Sequence, residues 1–94
     1  METAFDKDER GKAFFEETIR GIRQGAEFEW TEDKCSEVFT VFVRWPGRSV
    51  KLEVSREALD QAVDDPGSRP RLAREIERQV RISESGGHGL VREV

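Results

Sequence analysis

The sequence predicts an α+β fold in which helices pack on one face of an antiparallel sheet. Apolar residues recur with the 3.6-residue period of a helix from about Asp8 to Gln24. Three segments with the two-residue alternation of strands then follow one another between residues 27 and 55. Helical periodicity returns after Ser55. Strands grouped together, with helices before and after them, are typical of α+β proteins.

The first predicted element is an amphipathic helix. Phe15, Ile19 and Ile22 fall within about 60° of one another at 100° per residue, and Phe14 widens this apolar stripe. Gly25 follows the last periodic residue and is a suitable C-terminal cap. The helix is therefore expected to bury this stripe against the sheet.

Three strands are predicted next, and they form a meander. The first is short, because only Phe28 and Trp30 alternate with charged neighbours. The second, Val38 to Trp45, is rich in β-branched and aromatic residues and is the strongest strand pattern in the chain. The third lies within the stretch RSVKLEVS, where Val50, Leu52 and Val54 share one face. The residues expected on the buried face of the second and third strands are Phe39, Val41, Val43, Trp45, Val50, Leu52 and Val54.

The turn between the second and third strands sets their register. A four-residue loop from Pro46 to Ser49 pairs Val43 with Leu52, so apolar residues face each other. A two-residue loop also keeps the faces matched, whereas a three-residue loop sets Val43 against Lys51. We favour the four-residue loop, because an L-Pro-Gly turn has a twist that fits two-residue hairpins poorly.

Two helices and an optional short strand complete the prediction. Ser55 is suited to cap the second helix, and Ser68 the third, which tolerates a proline in its first turn. The segment Asp64 to Pro70 separates the two helices. Leu90 to Val94 has the composition of a short terminal strand. The expected buried positions of the helices are Ala58, Leu59, Ala62, Val63, Leu72, Ile76 and Val80.

Length and composition limit the classes of protein that are possible. Ninety-four residues correspond to one domain. A single cysteine excludes a scaffold held by internal disulfides. No run of about 18 apolar residues is present, and the charged N-terminal residues lack the apolar core of a signal peptide. We therefore expect a protein that does not enter membranes and that resides in the cytoplasm.

Catalytic, metal-binding and cofactor-binding patterns are weak, so we predict no enzyme activity, no metal and no cofactor. His88 and Cys35 are the sole members of their residue types, and the acidic neighbours of Cys35 raise a thiol pKa rather than activate it. Residues 6–17 partly match a calcium loop, but Arg10 stands where an oxygen ligand belongs. No glycine-rich phosphate-binding loop is present.

Residues 38–94 resemble a family of small bacterial proteins of unknown function. That family has a strand-to-helix motif of the form V-x-C-x-I-S-x-E-A-L, then a helix rich in R-x-x-I-E and a closing strand. The stretch from Val50 to Gln61, VKLEVSREALDQ, is similar to this motif, although Leu52 stands at the cysteine position. The resemblance implies a bacterial source and a related fold, and it carries no activity.

An arginine row on the third helix is the first candidate binding surface. Arg71, Arg74, Arg78 and Arg81 fall in one arc of about 80°, separate from the buried stripe. Guanidinium groups suit phosphate and carboxylate oxygens. The row can therefore be an ordinary solvated face, a contact for an acidic protein, or a nucleic-acid contact. The net charge of −4 argues against general affinity for nucleic acid.

An acidic segment, residues 27–37, is the second candidate surface. It holds five acids against one lysine, and it begins with Glu27, Glu29 and Trp30. It is interpreted either as a solvated loop beside a protected edge strand, or as the contact for a basic partner or for the arginine row of a second copy. Trp30 is expected in the core, but if exposed it is a candidate apolar anchor.

From these surfaces we predict a small, non-catalytic protein-binding or regulatory module that acts through charge-complementary contacts. Its partner is expected to be a protein, and the chain to be a monomer or a weak homodimer. The alternative function is weak nucleic-acid binding through the arginine row.

Overall fold

Helix, sheet and helices follow one another in the predicted order, which confirms the α+β fold. The computed structural model describes residues 4–31 and 37–94. A short 3₁₀ helix, Pro66–Ser68, links the last two α-helices. The elements are α1 (Ala4–Ile22), β1 (Glu27–Thr31), β2 (Val38–Trp45), β3 (Arg48–Ser55), α2 (Arg56–Asp64), α3 (Arg69–Glu84) and β4 (Gly89–Val91).

The four strands form one sheet in the order β1-β2-β3-β4. β1, β2 and β3 make the predicted antiparallel meander. The terminal strand is present, and it pairs with β3 in the parallel direction, so the sheet is mixed. A parallel neighbour requires a crossover connection, which α2 and α3 supply. β1 and β4 are consequently the two edges of the sheet.

The predicted register of the β2–β3 hairpin is wrong. Trp45 pairs with Arg48, and Val43 pairs with Val50, so the loop consists of Pro46 and Gly47 alone. Gly47 has a φ of 88°, in the left-handed region that a type II turn requires at its third position. Glycine adopts this conformation without steric cost, which makes the short turn accessible.

The core lies between the sheet and the three helices, which all cover the same face. The buried strand residues share one parity in each strand, and the apolar stripes of α1, α2 and α3 meet them. No helix among residues 4–31 and 37–94 covers the opposite face of the sheet, which carries exposed side chains such as Phe42, Arg44 and Lys51. Two-layer packing of this kind leaves one sheet face available to solvent.

Of the two predicted helix caps, Ser55 is confirmed, whereas Ser68 occupies the N-cap position of α3 without capping it through its side chain. The Ser55 hydroxyl accepts a hydrogen bond of 3.1 Å from the amide of Ala58. The Ser68 hydroxyl is buried and donates to the carbonyl of Asp65 at 2.7 Å. Ser68 has helical dihedral angles because a 3₁₀ turn precedes α3, so its side chain does not point at the first free amides.

Candidate functional site

The arginine row lies on the solvent side of α3. Leu72, Ile76 and Val80 are buried against the sheet, so the opposite side of the helix faces outward. All four predicted arginines are exposed. We call this set the arginine face: Arg71, Arg74, Arg78 and Arg81.

Half of the arginine face is paired with glutamates of the same helix. Arg78 lies 3.5 Å from a carboxylate oxygen of Glu75, and Arg81 lies 2.6 Å from one of Glu77. Both arginine side chains remain 70% exposed, so these pairs are weak and easily exchanged for another anion. The side chains of Arg71 and Arg74 make no ion pair or hydrogen bond with the described part of the chain.

Three members of the arginine face line one shallow depression of about 540 Å³. Arg74, Arg78 and Arg81 form its helical side. The turn after α3 forms the other side, where Gly86 has a φ of 88° and reverses the chain. Ile82 supplies an apolar surface within this basic rim. We call this depression the arginine groove; its lining is Arg74, Glu77, Arg78, Arg81, Ile82, Ser85 and Gly87.

A fifth arginine at the start of α3 has a structural role. The Nε atom of Arg69 donates to the carbonyl of Ala62 at 2.7 Å, and its guanidinium lies 6.0 Å from the centre of the Phe14 ring. Arg69 therefore ties α3 to α2 and α1. The sequence pattern alone does not separate it from the arginines that face solvent.

The acidic residues of β1 lie on the open face of the sheet. Glu27 and Glu29 are exposed, and each points away from the helices because the alternate residues Phe28 and Trp30 are half-buried. Glu27 lies 3.4 Å from Arg44 in a pair whose two side chains are more than 70% exposed. Residues 32–36 of the predicted acidic segment, with Cys35, lie outside the described residues.

Trp30 packs into the core instead of projecting to solvent. Its ring meets the rings of Phe15 and Phe39 edge to face, with centroid distances of 5.3 and 6.2 Å. The indole N–H donates to a carboxylate oxygen of Glu16 at 2.8 Å. The ammonium of Lys12 lies 5.4 Å from the indole centroid. The hydrogen bond satisfies the indole N–H of Trp30. The contacts with Phe15, Phe39 and Lys12 cover much of the ring, so little of it is available to an external partner.

Phe42, which was not among the predicted site residues, is an exposed aromatic residue. It is 48% exposed on the open face, where it is the cross-strand partner of Glu29 on one side and of Lys51 on the other. A depression of about 220 Å³ runs beside it and includes Glu27 and Glu29. The signal was present in the strand alternation, since Phe42 has the opposite parity to Val41 and Val43.

The arginine face and the acidic residues of β1 lie toward opposite edges of the molecule. α3 packs on β3 and β4, whereas Glu27 and Glu29 belong to the other edge strand. Four strands about 4.8 Å apart place β1 and β4 roughly 14 Å from each other. The two surfaces therefore do not form one site within a single chain.

The remaining candidates for chemistry are isolated. His88 lies 3.0 Å from a Glu53 carboxylate oxygen at the surface. A hydrogen bond with Glu93, together with the charge of that carboxylate, raises the pKa of the exposed Glu57. Residues 8–17, within the partial calcium loop, are helical. Residues 4–31 and 37–94 contain no cluster of three potential metal ligands, and no helix among them is long and apolar enough to span a bilayer.

Comparisons with known proteins identify no relative. No protein-family model, no curated protein and no solved structure matches the chain. The resemblance of residues 38–94 to small bacterial proteins of unknown function thus stays a prediction.

Proposed function

We propose that this protein is a small, non-catalytic binding module whose arginine groove receives an acidic segment of a protein partner. The observation that carries the proposal is the convergence of Arg74, Arg78 and Arg81 on one depression with Ile82 in its lining. Cytoplasmic location and bacterial origin belong to the same proposal; the resemblance of residues 38–94 and the lone cysteine support them.

The chemistry of the groove favours a carboxylate-bearing peptide. Guanidinium groups bind carboxylates with two parallel hydrogen bonds, and the guanidinium of Arg74 makes no ion pair or hydrogen bond with any described residue. Arg78 and Arg81 can exchange an exposed intrahelical pair for a partner's carboxylate at small cost. Ile82 offers contact to an apolar side chain of the same segment, which provides affinity that exposed ion pairs alone do not.

A continuous phosphate backbone fits the same helix less well. Glu75 and Glu77 lie within the arginine row, and they repel a regular row of phosphates along the whole helix face more than a segment that places a few carboxylates beside the arginines. The open face of the sheet exposes Phe42 for base stacking, but Glu29 lies opposite it on β1. The formal charge of −4 adds long-range repulsion, which is larger for a polyanion than for a short acidic segment.

Nucleic-acid binding is the second candidate function, because the four arginines extend along about three turns of one exposed helix face. Such a row can contact successive phosphates without reading sequence. Binding of this kind weakens steeply as salt rises, since counterions are released from the phosphates.

An amide NMR titration separates the two functions. The probes are a glutamate-rich peptide with one phenylalanine, duplex RNA, duplex DNA and single-stranded DNA, each at about 20 and about 150 mM salt. We expect the peptide to shift the amide signals of residues 71–87 and each nucleic acid to shift them less. Larger shifts with a nucleic acid, lost in Arg74→Glu/Arg78→Glu, would make the second candidate the function. No shift with any probe at low salt would contradict both.

A further inference from the structure

The geometry points to a second copy of this chain as a partner for the arginine groove. We propose that the groove of one molecule docks on the β1 patch of the next, head to tail. The β1 patch is defined as Glu27, Glu29 and Phe42. This inference rests on the proposed function, because it uses the same groove and names its occupant.

The charges of the two surfaces are complementary. The arginine face carries four arginines, of which Arg71 and Arg74 have no partner among the described residues. The β1 patch offers two exposed carboxylates. Glu29 makes no ion pair with the described residues, and Glu27 can exchange its exposed pair with Arg44 for an arginine of the groove at small cost. The unequal distribution extends along the chain: residues 1–37 hold eleven acids and six bases, a difference of −5, whereas residues 68–94 hold four acids and six bases, a difference of +2. Opposite potentials of this kind steer association and set its orientation.

Each surface also presents one apolar element among its charges. Ile82 lies within the rim of arginines, and Phe42 lies beside the two glutamates, 48% exposed. Cross-strand pairing of Glu29 with Phe42 places a carboxylate and an aromatic ring next to each other, so both can enter one groove together. An apolar anchor surrounded by charge pairs is the usual composition of a protein contact.

The arrangement of the surfaces determines the type of assembly. Because the β1 patch and the groove lie toward opposite edges of the sheet, the two surfaces of one chain cannot contact each other. The contact joins unlike surfaces, so it leaves one groove and one patch free in every dimer and continues into an open chain or a ring. Few charges take part and they are exposed, so association is expected at about 0.1 to 1 mM and to weaken with salt.

Dilution followed by amide NMR tests the self-association. Between about 1 mM and about 0.02 mM protein, we expect concentration-dependent shifts in residues 27–31, Phe42 and residues 71–87, and their loss at about 500 mM salt. Arg74→Gln/Arg78→Gln and Glu27→Gln/Glu29→Gln should each lower the association constant at least about fivefold. Arg48→Gln/Arg92→Gln removes the same two positive charges as Arg74→Gln/Arg78→Gln, but at exposed positions outside both surfaces. This control variant should leave the association constant unchanged.

Mixing the two variants gives the decisive result. The arginine variant keeps its β1 patch and the glutamate variant keeps its groove, so the mixture should stop at a one-to-one complex. Isotope labelling of the arginine variant should show shifts in residues 27–31 and Phe42 but not in α3. Shifts on both surfaces, or none, would overturn the head-to-tail contact. Wild-type protein that binds the glutamate-rich peptide but shows no dilution shifts would overturn the self-association and leave the proposed function intact.

Discussion

Replacement of Phe15 by alanine is expected to lower the free energy of unfolding by about 3 to 5 kcal/mol. Phe15 is fully buried on α1, and its ring meets Trp30 edge to face at 5.3 Å. The loss of stability has two parts: the transfer free energy of the removed ring, and the cost of the cavity that remains between α1 and the sheet. Because small domains have about 5 to 15 kcal/mol of stability, this variant should be close to unfolding.

Phe42→Ala is the matched control, since the same atoms are removed from the open face. Phe42 is 48% exposed, so the expected cost is below about 1 kcal/mol. Urea denaturation followed by tryptophan fluorescence measures both values, and Phe15→Leu provides a milder variant if Phe15→Ala does not fold. A larger cost for Phe42→Ala than for Phe15→Ala would contradict the assignment of the covered face.

Gly11→Ala is the second substitution with a large expected effect. A Cβ atom at Gly11 would lie 2.7 Å from the Cβ of Leu59 and 2.9 Å from its carbonyl oxygen. Glycine thus permits close contact between α1 and α2. Overpacking lowers the free energy of unfolding by about 1 to 3 kcal/mol, and the better helix propensity of alanine offsets up to about 1 kcal/mol of this loss. We therefore expect a net loss of about 1 to 2 kcal/mol.

Gly21→Ala makes the same change on the same helix without the contact. Outside the adjoining residues and backbone of α1, no atom of the described residues lies within 4 Å of the corresponding Cβ position, so the gain in helix propensity should stabilise the protein by up to about 1 kcal/mol. Thermal and urea unfolding should give opposite signs for the two variants. Stabilisation by both substitutions would show that α1 and α2 are not in close contact at Gly11.

Local patterns predicted the elements of this fold but not every pairing between them. The apolar alternation of β2 and β3 identifies both strands and the face they bury. Since two-residue and four-residue loops both keep that face matched, the alternation cannot choose between them. The positive φ of Gly47 decides the turn, and it depends on the twist of the strands that the turn joins.

The parallel pairing of β4 was also beyond the sequence pattern. Three residues, Gly89–Val91, are too few to show an alternation, and their partner strand is separated from them by two helices. Side chains of α2 and α3 hold this strand and the residues that follow it. The amide of Leu90 donates to Gln79 at 3.1 Å, and the amide of Val94 donates to Gln61 at 2.9 Å. Contacts between segments distant in sequence leave no local signal.

The candidate site shows a similar division. Helical spacing predicted that Arg71, Arg74, Arg78 and Arg81 share one exposed face, because the buried residues of α3 fix its orientation. It did not predict the groove, because the turn after α3 forms one wall and tertiary packing places it. The alternation of the strands placed Trp30 in the core, and its ring contacts with Phe15 and Phe39 confirm this. Phe42 has the opposite parity to Val41 and Val43, so the same alternation indicates its exposure, although it was not among the predicted site residues.

The affinity of the glutamate-rich peptide for charge variants tests the central claim most directly. Fluorescence anisotropy of the labelled peptide should show that Arg74→Gln/Arg78→Gln weakens binding about tenfold, or 1.4 kcal/mol, because two carboxylate contacts are lost. Arg48→Gln/Arg92→Gln should weaken it less than about threefold, since only net charge changes. Equal losses in the two variants, or unchanged affinity in the first, would contradict the assignment of the arginine groove as the binding site.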